Sequence, residues 1–211
     1  MNFEQVVTAV TTALSGTLPG AVAHQRMAPR PPRQWPAGFD RRTIRDAATL
    51  LLLFPVETHA HIVLTVRAET LGRHGGQVSL PGGVIDPGET REDAALREAR
   101  EEIGLLTDDV RVIGTLTPLE IPVSGFRLHP VVAATSARPR FVAAAGEVAR
   151  ILDVDLDHLR DPRSLTSRAV ERDGRSLTLP AFLVDGEEVW GATAMVLSEF
   201  LALIETPEAR Q

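Results

Sequence analysis

Between Gly83 and Leu105 the chain reads GVIDPGETREDAALREAREEIGL, and this segment has little freedom in what it can become. Pro87 and Gly88 make a turn, Thr90 is placed to cap a helix, and neither proline nor glycine interrupts residues 91 to 103. A helix is the expected outcome. At about 100° per residue, Ala95, Leu96, Ala99 and Ile103 gather on one apolar face, while Glu98, Glu101 and Glu102 share a separate arc. The helix therefore needs an apolar surface beneath it and carries three carboxylates in one patch. Like charges that close repel and raise one another's pKa unless a cation sits among them. Hard carboxylate oxygens suit Mg2+ or Mn2+, ions that keep some waters and also bind phosphate oxygens. The patch reads as an incomplete cage that a diphosphate would complete.

A Glu-x-x-Glu-Glu run by itself is more often a solvated helix face. Here it has fixed company: Gly82-Gly83 before the helix, Glu89 in the loop, Arg97 beside the cluster and Gly104 at the helix end. Gly104 fits a left-handed C-cap. The whole pattern, G-x5-E-x7-R-E-U-x-E-E-x-G-U with U a bulky apolar residue, resembles the Nudix box, with the small Ala99 at the first U as the one departure. That departure costs packing volume rather than chemistry. The resemblance implies a hydrolase that uses a divalent metal to split a diphosphate linked to another moiety. It also implies that Arg97 and Glu89 form an ion pair fixing loop to helix without touching substrate.

With 211 residues, 44% of them hydrophobic, the chain can bury a good core and is most economically one domain. The longest apolar run, Ala47 to Val56, is too short for a membrane span and contains Pro55. The amino terminus lacks the basic start of a secretion signal, and Phe3, Val6, Val7, Val10 and Leu14 recur at helical spacing, so a folded amphipathic helix is expected there. There is no cysteine, which excludes disulfides, thiolate chemistry and cysteine zinc sites. A cytoplasmic location is the default expectation. The net charge of -6 argues against a general nucleic-acid binder. Lysine is absent altogether, so arginine supplies every basic side chain except histidine, and each arginine is weaker evidence for a phosphate contact than usual.

After the first helix comes a proline- and arginine-rich connector, Met27 to Arg42. Residues 1–42 are expected to be a helix and arm packed on a domain formed by residues 43–205. Ala47 to Phe54 and Ala60 to Val66 read as paired strands around a turn at Pro55 to Thr58. Val110 to Leu119 and Leu128 to Ala134 read as strands separated by a loop at Ile121 to Gly125. Glu147 to Val154, Ser164 to Val170 and Leu177 to Val184 look extended, with Asp173-Gly174 as a hairpin turn. Ala192 to Glu205 has a helical period. This order suits an α+β layered fold. The Nudix resemblance sharpens it to an α/β/α sandwich with a mixed central sheet.

Immediately upstream of the box, Leu64 to Gly83 reads LTVRAETLGRHGGQVSLPGG. It resembles the motif of coenzyme A pyrophosphatases, approximately L-L-T-x-R-S/A-x3-R-x3-G-x3-F-P-G-G, which joins directly onto their Nudix box. Arg67, Ala68, Gly76 and Pro81-Gly82-Gly83 fall in register. Gly72 stands where the motif has arginine and Leu80 where it has phenylalanine, with Arg73 one place along from the missing charge. Ser124-Gly125-Phe126 with Pro130, and Trp190 to Ala194, also resemble segments of that subfamily. From the residues alone, the stretch is a strand entering a loop whose Arg67, Arg73 and His74 can approach anions.

The expected reaction is hydrolysis of the diphosphate of coenzyme A, with Mg2+ or Mn2+ held by Glu98 and Glu102, one helical turn apart. Glu101 would bind directly or through water, and the Gly82 carbonyl could join because glycine allows close backbone approach. In Nudix enzymes the general base can be a box glutamate or one from a later loop. Glu147, after the small-residue run Ala143 to Gly146 and before an apolar strand, is the best later candidate, and Glu120 a weaker one. For substrate contacts the candidates are Arg67, Arg73, His74 and Phe126. Expected partners are a small nucleotide substrate and at most a second copy of the chain, with neither nucleic acid nor membrane. Rival readings are a Nudix pyrophosphatase for ADP-ribose, dinucleotides or capped RNA, and a domain that senses a nucleotide without hydrolysing it.

Overall fold

The computed structural model describes residues 1–69, 75–172 and 175–205. In chain order the helices are α1 (Phe3–Leu14), α2 (Gly20–Met27), α3 (Arg91–Ile103), α4 (Leu156–Arg160) and α5 (Gly191–Glu205). The strands are β1 (Arg45–Val56), β2 (His59–Arg67), β3 (Val78–Ser79), β4 (Gly82–Val84), β5 (Arg111–Thr115), β6 (Leu119–Ile121), β7 (Phe126–Ala134), β8 (Val148–Asp155), β9 (Leu165–Arg172), β10 (Arg175–Val184) and β11 (Glu187–Trp190).

β1 is the spine of an eight-stranded mixed sheet. It runs parallel to β7 along one edge. On its other edge it pairs antiparallel with β2 at Leu53–Val56 and with β4 at Ala47–Thr49. β2 and β1 therefore separate toward the Arg67 end, and β3 and β4 occupy the split. β8 forms the outer edge beyond β2.

Period-two alternation divides β1 between two apolar layers. Leu51 and Leu53 join Phe3, Val6 and Val10 of α1 and Leu197, Phe200 and Leu201 of α5. Ala48, Leu50, Leu52 and Phe54 join Ala94, Ala95, Ala99 and Ile103 of α3. This is an α+β sandwich with helices on both faces of a mixed sheet. Ala99, the small residue at the box's first bulky position, is fully buried against that sheet.

Several elements differ from the sequence-based expectation. The strand expected over Val110 to Leu119 is interrupted: β5 ends at Thr115 and β6 starts at Leu119, with a register shift beside Gly114. β1 extends through Pro55 and Val56, leaving a tighter turn at Glu57-Thr58, where Glu57 takes φ 55°. β9, β10 and β11 form a separate three-stranded sheet, and the Asp173-Gly174 turn lies outside the described residues.

α2, absent from the sequence reading, is held by a buried polar cluster. The fully buried Glu199 carboxylate on α5 accepts from Gly20 N–H at 3.0 Å and from the Thr117 hydroxyl at 2.6 Å, and its other oxygen lies 2.8 Å from His24 Nε2. Burial pushes this carboxyl up, but the bonds from His24 and Thr117 outweigh it and leave the group below its ordinary value. Farther along, Arg30 exchanges two backbone hydrogen bonds with Thr178 of β10. No described helix is long and apolar enough to cross a membrane.

Candidate active site

Thr90 and Gly104 set the ends of α3. The Thr90 hydroxyl accepts the Asp93 N–H at 3.1 Å, and Gly104 takes a left-handed backbone at φ 64° while Leu105 N–H returns to the Ala99 carbonyl. The three glutamates consequently sit on the last turns of the helix, alongside β4. The glycine pair of β4 makes that approach possible. A Cβ on Gly82 would overlap the Ala48 carbonyl and Thr49, and one on Gly83 would overlap the Glu98 carboxylate. Gly82 N–H thereby comes within 3.2 Å of Glu102 Oε2.

Arg97 organises the exposed side of the cluster. Its Nε and Nη2 donate to the two oxygens of Glu89 at 2.8 and 3.0 Å, and Nη2 also donates to the Val84 carbonyl at 3.0 Å. Its Nη1 donates to Glu98 at 2.8 Å and to Glu101 at 3.2 Å. The bonds from Arg97 hold Glu89 below the ordinary carboxylate value, and those to Glu89 and Glu98 raise Arg97. Loop and helix are thus joined by the expected ion pair, and the same guanidinium orients Glu98.

Glu102 has a different environment. Its side chain is 7% exposed, and burial pushes its carboxyl up to about 7, with Glu98 and Glu147 adding to the rise. The Gly82 N–H and Arg67, whose Nη1 lies 3.6 Å from Glu102 Oε1, oppose it. Backbone bonds bring Glu147 into this neighbourhood. Ala144 N–H donates to the Glu102 carbonyl at 2.8 Å, and Ala68 N–H donates to the Glu147 carbonyl at 2.9 Å, so the segment before β8 is tied to both α3 and the end of β2.

Glu98, Glu101, Glu102, Gly82, Arg67 and Glu147 therefore share one site, while Phe126 and Glu120 lie apart from it. Glu120 on β6 has β7 and β1 between it and β4, and it is engaged by Arg127 at 3.1 Å and by Arg41. Those bonds, chiefly that from Arg127, hold it below its ordinary value. Phe126 opens β7 opposite Arg45, whose guanidinium lies 4.3 Å from its ring centroid. Arg73 and His74 lie outside the described residues.

The site's donor set fits a hard divalent cation. It is made of oxygens, and its most buried carboxyl is destabilised as an anion by burial and by two acidic neighbours, a condition that added positive charge relieves. A separate group, His59, Asp155 and Asp157, whose ligand atoms all lie within 4.8 Å of one another, stands at the other end of β2. Eight residue steps, about 26 Å of strand, separate His59 from Arg67. Asp157 there is already bound by the Met1 amino group.

One polar pair, a buried histidine with an exposed aspartate, was not read from the sequence. His129 Nε2 lies 2.7 Å from Asp46 at the margin of an open cavity of about 460 Å³ beside the start of α3. A lone histidine inside an apolar strand has no spacing that signals such a partner.

A model of the NUDIX domain family matches residues 44–158. A Nudix hydrolase NudL from Pectobacterium atrosepticum, described as uncharacterized, is 32% identical over 161 residues, covering 75% of this chain and 83% of that protein. Its counterpart from Citrobacter koseri is 34% identical over 158 residues, covering 74% and 80%. Among solved structures, the MutT protein of Methanosarcina mazei matches with a TM-score of 0.50 and 18% identity over 77% of this chain and 96% of that one, a likeness of fold. By the family match and these relatives, with the box residues assembled as described, the chain belongs to the NUDIX domain family and is a Nudix hydrolase.

Proposed function

We propose that the protein hydrolyses the diphosphate of coenzyme A or its derivatives to 4'-phosphopantetheine and adenosine 3',5'-bisphosphate. The observation that carries this reading is the segment from Arg67 to Gly83, which matches the coenzyme A pyrophosphatase motif at Arg67, Ala68, Gly76 and Pro81-Gly82-Gly83 and ends in the glycines that pack on Glu98 and Glu102. Arg67, placed by β2 beside Glu102, can turn its guanidinium to a diphosphate oxygen.

In this proposal Glu98, Glu102 and the Gly82 carbonyl would hold Mg2+ or Mn2+, which would supply charge neutralisation of the phosphate oxygens and a lowered pKa for the attacking water. Glu101, the most exposed of the three, completes the acidic patch directly or through water. Arg97 keeps Glu98 in place and is itself fixed by Glu89. Glu147 accepts the proton as the water oxygen forms its bond to phosphorus, and the bridging P–O bond breaks with its electron pair leaving on the departing phosphate.

The test is incubation of the protein with coenzyme A and Mg2+ or Mn2+ in 18O-labelled water, with products identified by mass. The proposal requires both named products, one carrying a single label. Absence of coenzyme A hydrolysis by a preparation that cleaves ADP-ribose or a dinucleotide polyphosphate would return the substrate to the wider family.

A further inference from the structure

Two arginines face the three glutamates of α3, and they are held very differently. Arg97 spends all five of its N–H donors: two on Glu89, one each on Glu98 and Glu101, and one on the Val84 carbonyl. It is a fixed part of the framework. Arg67 makes no side-chain hydrogen bond among the described residues, and its described contact is Nη1 at 3.6 Å from Glu102 Oε1. That separation exceeds a hydrogen bond, so the pair is Coulombic and the planar fork is unspent.

The backbone beneath Arg67 is nevertheless fixed. Its N–H donates to the Gln77 carbonyl at 3.0 Å, its carbonyl accepts the Gly76 N–H at 2.9 Å, and it pairs with Val148 of β8. The side chain, 34% exposed, can turn without any movement of the strand.

Glu102 has no such latitude, because its side chain is buried and its Oε2 accepts the Gly82 N–H at 3.2 Å. Oε1, the oxygen facing Arg67, is left without a hydrogen bond. A divalent cation on Oε1 and a guanidinium beside it repel one another at this range. A phosphate oxygen offers Arg67 what Glu102 does not, charge-assisted bonds to both prongs of the fork. Turning to a diphosphate therefore relieves the repulsion and uses donors that are otherwise unspent.

We propose that Arg67 is an exchangeable counter-ion of Glu102, drawn away by a diphosphate, so that the site takes up a divalent cation far more readily with a diphosphate than alone. The proposal rests on the diphosphatase reading for the ligand roles of Glu98 and Glu102. It makes Arg67 more than a phosphate contact. The coupling it creates is reciprocal, so the cation strengthens diphosphate binding by the same factor.

Mn2+ binding to the full-length protein, followed by the EPR signal of the free ion, tests this without turnover. Arg67→Gln should bind Mn2+ alone about five- to a hundredfold more tightly than the unaltered protein, the usual range of coupling between sites. The non-hydrolysable probe α,β-methylene-ADP, titrated calorimetrically with Mn2+ in excess, should bind that variant more weakly by a similar factor. In a Glu102→Gln background, Arg67→Gln should no longer tighten Mn2+ binding, since the carboxylate through which it acts is gone. Unchanged or weaker Mn2+ binding by Arg67→Gln, or the same tightening in the Glu102→Gln background, overturns the exchange. Mn2+ affinity untouched by both Glu98→Gln and Glu102→Gln overturns the cation assignment itself, and the exchange with it. Arg67→Met, which keeps the apolar stem, answers the same questions if Arg67→Gln fails to fold.

Discussion

The Glu98 carboxylate occupies the space that a Cβ on Gly83 would fill. Close packing of strand on helix, rather than unusual backbone dihedrals, is therefore what the second glycine of the pair provides. Gly83→Ala should force Glu98 out of place and reduce turnover about a hundredfold, the scale of a 1 Å misplacement at a reacting centre. The overpacking should cost about 1–3 kcal/mol of stability. Steady-state kinetics with a urea melt check both, and normal turnover would show that the position of Glu98 is unimportant.

Arg97 makes a two-pronged contact with Glu89 and a further bond to Glu98. A lysine keeps the charge but loses the planar fork. Arg97→Lys should therefore lose about 2 kcal/mol of stability and depress kcat more than it raises KM. A double-mutant cycle with Glu89→Gln should show coupling between the two sites, and additive effects would mean the pair is incidental.

Glu102 gives a pH dependence with a definite sign. Its folded-state pKa of about 7 is raised above the ordinary value of 4.5, so the folded protein binds the extra proton between those values. Ionising Glu102 then erodes stability as pH rises from about 4.5 through about 7, by an amount of at most about 3 kcal/mol. In chelator-treated protein, Glu102→Gln should remove that part of the decline and be the more stable form at pH 8. Added Mn2+ should raise the melting temperature of the unaltered protein at pH 8 and have less effect on the variant. Identical pH–stability curves for the two proteins would contradict the assigned environment.

How much of this could be read from the sequence depends on how local each cause is. α3 was legible with both ends because Thr90, Gly104 and the apolar period of Ala95, Ala99 and Ile103 act within the segment itself. The Arg97–Glu89 pair followed from the family spacing. The short strands β3 and β4 were not legible, since they exist only where β1 and β2 diverge. The break between β5 and β6 was missed for a similar reason: Thr117, within the gap, gives its N–H and hydroxyl to Glu199 of α5, a partner from far along the chain. α2 has just two turns, and its fixing carboxylate, Glu199, lies nearly the whole chain away. Glu199 itself read as one polar residue in an apolar helix, with no spacing to signal its donors.

That carboxylate carries a fourth prediction. Glu199→Ala strands the donors of Gly20, His24 and Thr117 in a buried site. Breaking one partner of such a pair costs about 3–5 kcal/mol. The loss should appear in urea denaturation, with kcat nearly unchanged at low temperature because the site is remote from Glu98. A loss below about 1 kcal/mol would mean that the cluster does not hold α2.

The central claim is that the segment from Arg67 to Gly83 fits the site to coenzyme A. Under one metal condition, kcat/KM should be highest for coenzyme A among coenzyme A, dephospho-coenzyme A, NADH and ADP-ribose. A charge-assisted contact contributes roughly 1.5–3 kcal/mol, so loss of the 3'-phosphate should lower specificity about ten- to a hundredfold. If ADP-ribose or NADH is the better substrate, the claim is wrong and the same glutamates serve a different diphosphate.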